Sequence, residues 1–293
     1  MMIMTFTDIG FIGTGIMGKS MLRNLKKAGY TMHCYARHPE KVEDLKKEGV
    51  TVHPSIASLA RACQCLITIV GFPQDVEEVY FSPQALMDSA APGTYLVDMT
   101  TTSPTLAKRL YDEGKQRGFH VMDAPVTGGD TGARKGTLSI LAGGDKEDYD
   151  VLQPVFRGMG TNINYMGPAG MGQHAKMANQ IMIAGALSGV CEALRYAQAN
   201  GLDLEILLKA VSTGAAGSAQ LNAFGPKIIQ GDYAPGFFLK HFIKDMGLAE
   251  EEAEKKDLSL PVLHQVLKEY RELAKEGKGD LGTQALFTYY EKK

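Results

Sequence analysis

The sequence predicts an α/β fold, with a parallel sheet flanked by helices over residues 1–167 and an all-helical domain over residues 168–293. Three observations carry that expectation. Short β-branched or aliphatic runs alternate with helical patterns through the first half, the alternation stops after Gly167-Pro168, and a long apolar helical run follows. A chain of 293 residues with 44% hydrophobic content is long enough for two domains, each with its own core.

Taken in order, strands are expected at residues 8–12, 31–35, 66–70, 95–98 and 120–123. Between the first two, residues 16–28 read as a helix stopped by Gly29, the residue type favoured just past a helix C-terminus. Residues 137–142 and 163–165 read as further strands that extend the sheet. Residues 174–199 form a long helix in which Ala175, Met177, Ala178, Ile181, Met182, Ala184, Ala186 and Leu187 leave almost no polar face, so burial nearly all round is expected. Helices follow at residues 203–213, 236–256 and 261–276, with Gly277 and Gly279 breaking the last.

Composition narrows the function classes. The 31 basic and 33 acidic residues give a formal net charge of -2, with no block of like charge to bind nucleic acid or a membrane surface, so a small-molecule partner is expected. Cys34, Cys63, Cys65 and Cys191 lack metal-knuckle spacing, and the seven histidines lack a zinc motif, so no metal site is expected. Residues 1–6 are apolar but have no basic segment and too short an apolar run before Asp8 for a cleaved signal, and the longest apolar stretch, residues 181–191, is shorter than the roughly 18 residues that span a bilayer. With free thiols and no export signal, a cytoplasmic location is expected, and the apolar second domain suggests a homodimer or homotetramer.

The strongest local motif is Gly13-Thr14-Gly15-Ile16-Met17-Gly18, a GxGxxG between an apolar strand and a helix. Its glycines permit a tight turn, approach of the backbone to a pyrophosphate, and close helix-on-strand packing, while the helix N-terminus attracts phosphate. A dinucleotide cofactor follows. NAD enzymes place a carboxylate after the second strand to hold the ribose 2′-hydroxyl. Here that position reads Tyr35-Ala36-Arg37-His38, and the arginine fork suits a 2′-phosphate, which favours NADP while leaving NAD open. The plainer alternative is that Arg37 is a solvated surface arginine.

Four motifs in order then resemble those of the β-hydroxyacid dehydrogenases, the family that includes 3-hydroxyisobutyrate dehydrogenases and tartronate semialdehyde reductases. Residues 10–18 resemble its opening segment. Residues 123–129, with Gly136-Thr137-Leu138 and Gly143-Gly144, look like its substrate segment, residues 172–180 like its catalytic segment, and residues 244–249 like its late cofactor-contacting motif. The resemblance implies a Rossmann-type dinucleotide-binding domain and a helical C-terminal domain joined by a long helix, with the active site in the cleft. It also implies hydride transfer between NADP(H) and a short β-hydroxy acid or its semialdehyde. By position, the catalytic lysine falls on Lys176, the nearby amides on Asn179 and Gln180, and the cofactor contacts on Phe72, Pro73, Thr101 and Lys244. Thr127 stands where many members have serine, and Gln180 where many have asparagine, so the resemblance leaves the substrate open.

The residues support that chemistry independently. Hydride transfer requires the substrate oxygen to lose or gain a proton, and Lys176, near the start of an apolar helix, is a group whose pKa burial would lower towards neutrality. Asn179 and Gln180 are three and four residues on and share its helix face. Thr127, Gly128 and Gly129 offer a hydroxyl and backbone N–H groups to a carboxylate. The plainer alternatives are that Lys176 reaches to solvent along the helix edge and that residues 127–129 are an ordinary glycine loop. His174 points to another face than Lys176 and reads as structural, Cys63 and Cys65 read as buried apolar residues, and Ser218 is a secondary candidate substrate contact.

Two rivals remain at this stage. One is an imine reductase or a phosphogluconate dehydrogenase relative on the same fold; the former generally lacks the lysine and the latter is much longer. The other is a non-catalytic nucleotide-binding scaffold, which predicts loss of the lysine or decay of the substrate loop.

Overall fold

A computed structural model describes residues 6–292; the rest of the apolar opening, residues 1–5, and Lys293 lie outside the described residues. The chain divides into two compact units, Met1–Lys176 and Met177–Lys293.

Unit 1 carries one sheet. Its strands are β1 (Asp8–Ile12), β2 (Thr31–Tyr35), β3 (Thr51–His53), β4 (Cys65–Thr68), β5 (Tyr95–Asp98), β6 (His120–Asp123), β7 (Val126–Thr127), β8 (Leu138–Gly143) and β9 (Gly160–Gly167). Between them run α1 (Ile16–Lys27), α2 (Glu43–Lys47), α3 (Ile56–Ala62), α4 (Pro73–Phe81), α5 (Leu86–Ser89), α6 (Pro104–Gln116), α7 (Gly129–Lys135) and α8 (Lys146–Arg157). The first six strands are parallel in the order β3-β2-β1-β4-β5-β6. Beyond β6 the direction reverses, since β8 runs antiparallel to both β6 and β7 while β9 pairs parallel with β8. The predicted extension of the sheet is present, joined by two short strands, β3 and β7, that sequence pattern did not reveal.

Side-chain alternation builds a core on each sheet face. Along β4, Cys65 and Ile67 join the cluster containing Phe11, Met21, Leu22 and Leu25, whereas Leu66 joins Leu59, Tyr80, Leu96 and Leu110. Cys63 and Cys65 are buried, as the sequence suggested. In α1 the buried residues Gly18, Met21, Leu22 and Leu25 recur at helical spacing, and Lys26 and Lys27 complement the C-terminal dipole.

Because β1, β2, β4, β5 and β6 are parallel, the segments that follow them leave one edge of the sheet. That edge collects Gly13–Gly18, Arg37, Phe72, Thr101 and Asp123. β1 lies where the crossover direction changes, between β2 and β4, which is the place where doubly wound sheets open a ligand crevice.

Unit 2 is helical. The 29-residue α9 (Met171–Ala199) starts in unit 1, and α10 (Leu204–Val211), α11 (Ala219–Ile229), α12 (Leu239–Glu254), α13 (Pro261–Lys275) and α14 (Phe287–Tyr290) follow. Its core gathers Ala184, Leu187, Cys191 and Leu194 of α9 with Phe242 and Met246 of α12 and Leu267 and Tyr270 of α13. Phe242 meets Tyr270 edge-on with ring centroids 5.3 Å apart.

Two expectations about α9 need correction. It is not buried all round within this chain: Met182 is 67% and Tyr196 70% exposed, with Ala178, Gly189 and Ala193 exposed on the same side. The whole helix is also long and apolar enough to cross a membrane by length and composition, where the count of residues 181–191 alone had fallen short. The shorter count stopped at the first charged residue; the longer one averages across it, and the side facing the helical core accounts for much of the apolar content.

Candidate active site

The glycine turn between β1 and α1 is shaped by contact. A Cβ on Gly13 would lie 1.9 Å from the Ile69 carbonyl oxygen, and one on Gly18 1.8 Å from that of Gly13. A Cβ on Gly15 would meet nothing within 4 Å. Gly15 is the N-cap of α1, no side chain caps that helix end, and no acidic residue occupies its first turn. An uncapped helix start behind an open glycine fits a pyrophosphate, with Thr14, Ile16 and Met17 completing the turn.

At the second strand, Ala36 and Arg37 follow β2 directly. The Arg37 Nη2 donates to Asp75 Oδ1 at 3.0 Å and Glu78 Oε2 at 2.6 Å, so its fork is already shared with two carboxylates on α4. Asp75 also accepts the Phe72 backbone N–H at 3.1 Å. Phe72 and Pro73 form the N-terminus of α4, and one carboxylate thus joins two of the expected cofactor segments. The loop after β4 is tied to the loop after β5, where Thr101 lies, by the Val70 N–H donating to the Thr100 hydroxyl at 3.0 Å.

Lys176 is buried, 7% exposed, and its Nζ donates to the Val126 carbonyl at 2.9 Å. It does not reach to solvent. Val126 precedes Thr127, the end of β7, and Gly128 and Gly129 then turn the chain into α7 with φ of +124° and +63°. Unit 1 therefore brings Lys176 beside the strand that leads into the expected substrate turn.

The segment before it ends β6 at Asp123, which the sequence reading placed in a motif without giving it a role. Its carboxylate accepts backbone N–H groups of Gly170 at 2.7 Å and Gln173 at 2.9 Å, at the start of α9. Burial pushes this carboxyl up to about 6, against the opposing pull of those N–H groups. Gln173, wholly buried, was missed in the same way.

In unit 2 the side chains form a chain of contacts. Asn179 Nδ2 donates to Gln180 Oε1 at 2.8 Å, Gln180 Nε2 to Asp245 Oδ2 at 2.6 Å, and Lys244 Nζ pairs with Asp245 Oδ1 at 2.7 Å. Buried Asp245 is the hub, and it too stood in a quoted motif without a role. Asp75 and Glu78 carried no sequence signal at all. Two secondary readings change: His174 is exposed rather than structural, and the Ser218 hydroxyl caps α11 by accepting the Leu221 N–H. Among the described residues no group of His, Cys, Asp or Glu could hold a metal ion.

With this geometry in hand, comparison with known families is decisive. The NAD-binding domain of 6-phosphogluconate dehydrogenase matches residues 8–167, and the NAD-binding domain of NADP-dependent 3-hydroxyisobutyrate dehydrogenase matches residues 170–290. The chain belongs to the β-hydroxyacid dehydrogenase family. It is an NAD(P)-dependent hydroxyacid dehydrogenase with a Rossmann-type N-terminal domain. Among relatives of this β-hydroxyacid dehydrogenase, the oxidoreductase YkwC of Bacillus subtilis is 46% identical over 97% of this chain and 99% of its own. The NAD-dependent L-serine dehydrogenase of Pseudomonas aeruginosa is 34% identical over 92% and 93%. Of solved structures, Psf3 in complex with NADP+ superposes with a TM-score of 0.90 at 26% identity, covering 96% of this chain and 99% of that one.

Proposed function

We propose that the protein interconverts a short β-hydroxy acid and its carbonyl form, with NADP(H) as the preferred cofactor and Lys176 as general acid and base. The observation that carries this is the Lys176 amine, buried and hydrogen-bonded to Val126 at the edge of the Thr127–Gly129 turn. The nicotinamide, when bound, supplies or accepts the hydride. In the oxidative direction the substrate hydroxyl gives its proton to the neutral Lys176 amine, and in the reductive direction the ammonium returns it to the new alkoxide oxygen. Val126 can accept a hydrogen bond from Lys176 in either state, so the amine keeps its place through the cycle.

The Thr127 hydroxyl and the Gly128 and Gly129 amides are the donors for the substrate carboxylate. Asn179 supplies an amide to the reacting oxygen; Gln180, 2% exposed and bonded to both Asn179 and Asp245, supports it from behind. Thr14, Gly15, Ile16 and Met17 hold the pyrophosphate, and Arg37 the 2′-phosphate. Since Arg37 already shares its fork with Asp75 and Glu78, a 2′-phosphate must compete with them, which leaves room for NAD as well.

Four buried, unpaired cysteines suit a reducing compartment such as the cytoplasm. A homodimer or homotetramer would cover α10, an apolar helix with no buried residue, and the exposed Met182 and Tyr196; light scattering of the purified protein decides it.

The test of the chemistry is Lys176→Ala. Turnover should fall by a factor on the order of 10² to 10⁴ while NADP affinity is nearly intact. Initial rates with both cofactors on C3 to C5 hydroxy acids and semialdehydes identify the substrate, and unchanged turnover in the variant removes Lys176 from the mechanism.

A further inference from the structure

Within unit 1 the start of α9 is held to the sheet edge at three points. The Asp123 carboxylate takes the N–H groups of Gly170 and Gln173. The Gln173 side chain gives Nε2 to the Thr100 carbonyl at 2.7 Å and takes the Thr102 N–H on Oε1 at 3.1 Å. One turn later Lys176 bonds to Val126, three residues beyond Asp123.

The packing leaves this arrangement no slack. A Cβ on Gly143 would lie 2.8 Å from Asp123 Oδ1, and a Cβ on Gly172 2.7 Å from its Oδ2 and 2.3 Å from the Leu141 carbonyl oxygen. Backbone therefore lies against the carboxylate both from β8 and from the first turn of α9.

We propose that Asp123, seconded by Gln173, is the positioning residue that sets where the Lys176 amine stands. Asp123 acts through the helix and touches no reacting atom; the inference rests on the reading of Lys176 as the proton-transfer group. A helix turn is stiff, so a shift of the Gln173 backbone is passed to Lys176 nearly undiminished, and misplacing a reacting group by about 1 Å can cost on the order of 10² in rate. Packing alone would be served by an apolar side chain at the end of β6. A buried carboxylate is destabilised by loss of water, and its proton affinity is raised accordingly. What the carboxylate adds over an apolar side chain is a two-point hold on backbone N–H groups at the head of the helix that carries the amine.

The experiment is a double-mutant cycle in the full-length enzyme, with folded sites counted by NADPH fluorescence and kcat expressed per site. Asp123→Asn should lower kcat per site by about tenfold or more while NADPH affinity stays within about twofold. In a Lys176→Ala background the same substitution should change the residual rate by less than about twofold, because the group it positions is gone. A merely structural role would reduce the number of sites and the melting temperature but not kcat per site. Full kcat in Asp123→Asn, or losses that multiply in the double variant, overturn the proposal. Should Asp123→Asn yield no NADPH-binding protein, Gln173→Met goes through the same cycle with the same two outcomes. Lys176→Ala alone separates the levels: if it leaves turnover unchanged, the proposed function falls and takes the positioning role with it.

Discussion

Two glycine turns in unit 1, residues 13–18 and 128–129, need glycine for different physical reasons. In the first, Gly13 and Gly18 are pressed against backbone oxygens at distances no Cβ can occupy. In the second, a Cβ on Gly129 would meet nothing within 4 Å and one on Gly128 would come no nearer than 3.3 Å, to Leu138, yet both residues lie at positive φ. The first turn is fixed by its neighbours, with a positive φ added at Gly13, and the second by torsions alone. Gly15 is a third case, crowded by nothing in the protein and at an ordinary negative φ, which accords with its proposed place against the pyrophosphate.

Substitutions can break that comparison in order of severity. Gly13→Ala combines a backbone collision with positive φ, so a loss of about 3 kcal/mol or more in stability and of detectable NADPH binding is expected, read by melting and fluorescence titration. Gly15→Ala should stay within about 1 kcal/mol of the parent in stability, because only a helix cap changes, yet weaken NADPH by about tenfold or more. Equal loss of stability in both variants would show that the turn is protected by packing throughout. Gly129→Ala should cost about 1 kcal/mol through its left-handed torsion and raise KM for the hydroxy acid, with dinucleotide affinity unchanged. The smallest effect is expected at Arg37, the proposed 2′-phosphate residue. Glu78→Gln removes one of the two anions beside Arg37 and should shift the ratio of kcat/KM for NADP over NAD upward by about two- to fivefold, the exposure of the pair keeping the change small.

The same contrast explains what was legible in the sequence. The Gly13–Gly18 turn could be read because its glycines punctuate an apolar strand and a helix within a dozen residues, and α12 and α13 could be read from helical periodicity. Asp123 could not be assigned a role, because its partners lie 47 and 50 residues away and are backbone N–H groups, which every residue but proline carries. Asp245 likewise meets Gln180 across 65 residues. The helix α11 contains Gly225 and Pro226, residues that mask a helical pattern although the helix runs through them. Three-residue β3 is too short to show alternation. The exposed side of α9 was lost for another reason: alanine, glycine and methionine look alike in a hydropathy pattern whether they face a core or not.

Asp75 gives Arg37, the residue proposed for the 2′-phosphate, and the N-cap amide of α4 a common anchor. Exchanging Arg37 to retarget the enzyme to the other nicotinamide cofactor would leave that carboxylate without its cation while it still restrains Phe72. Cofactor swapping in this chain is thus a coupled design problem, in which position 75 has to be chosen together with position 37 if the backbone at Phe72 is to keep its setting.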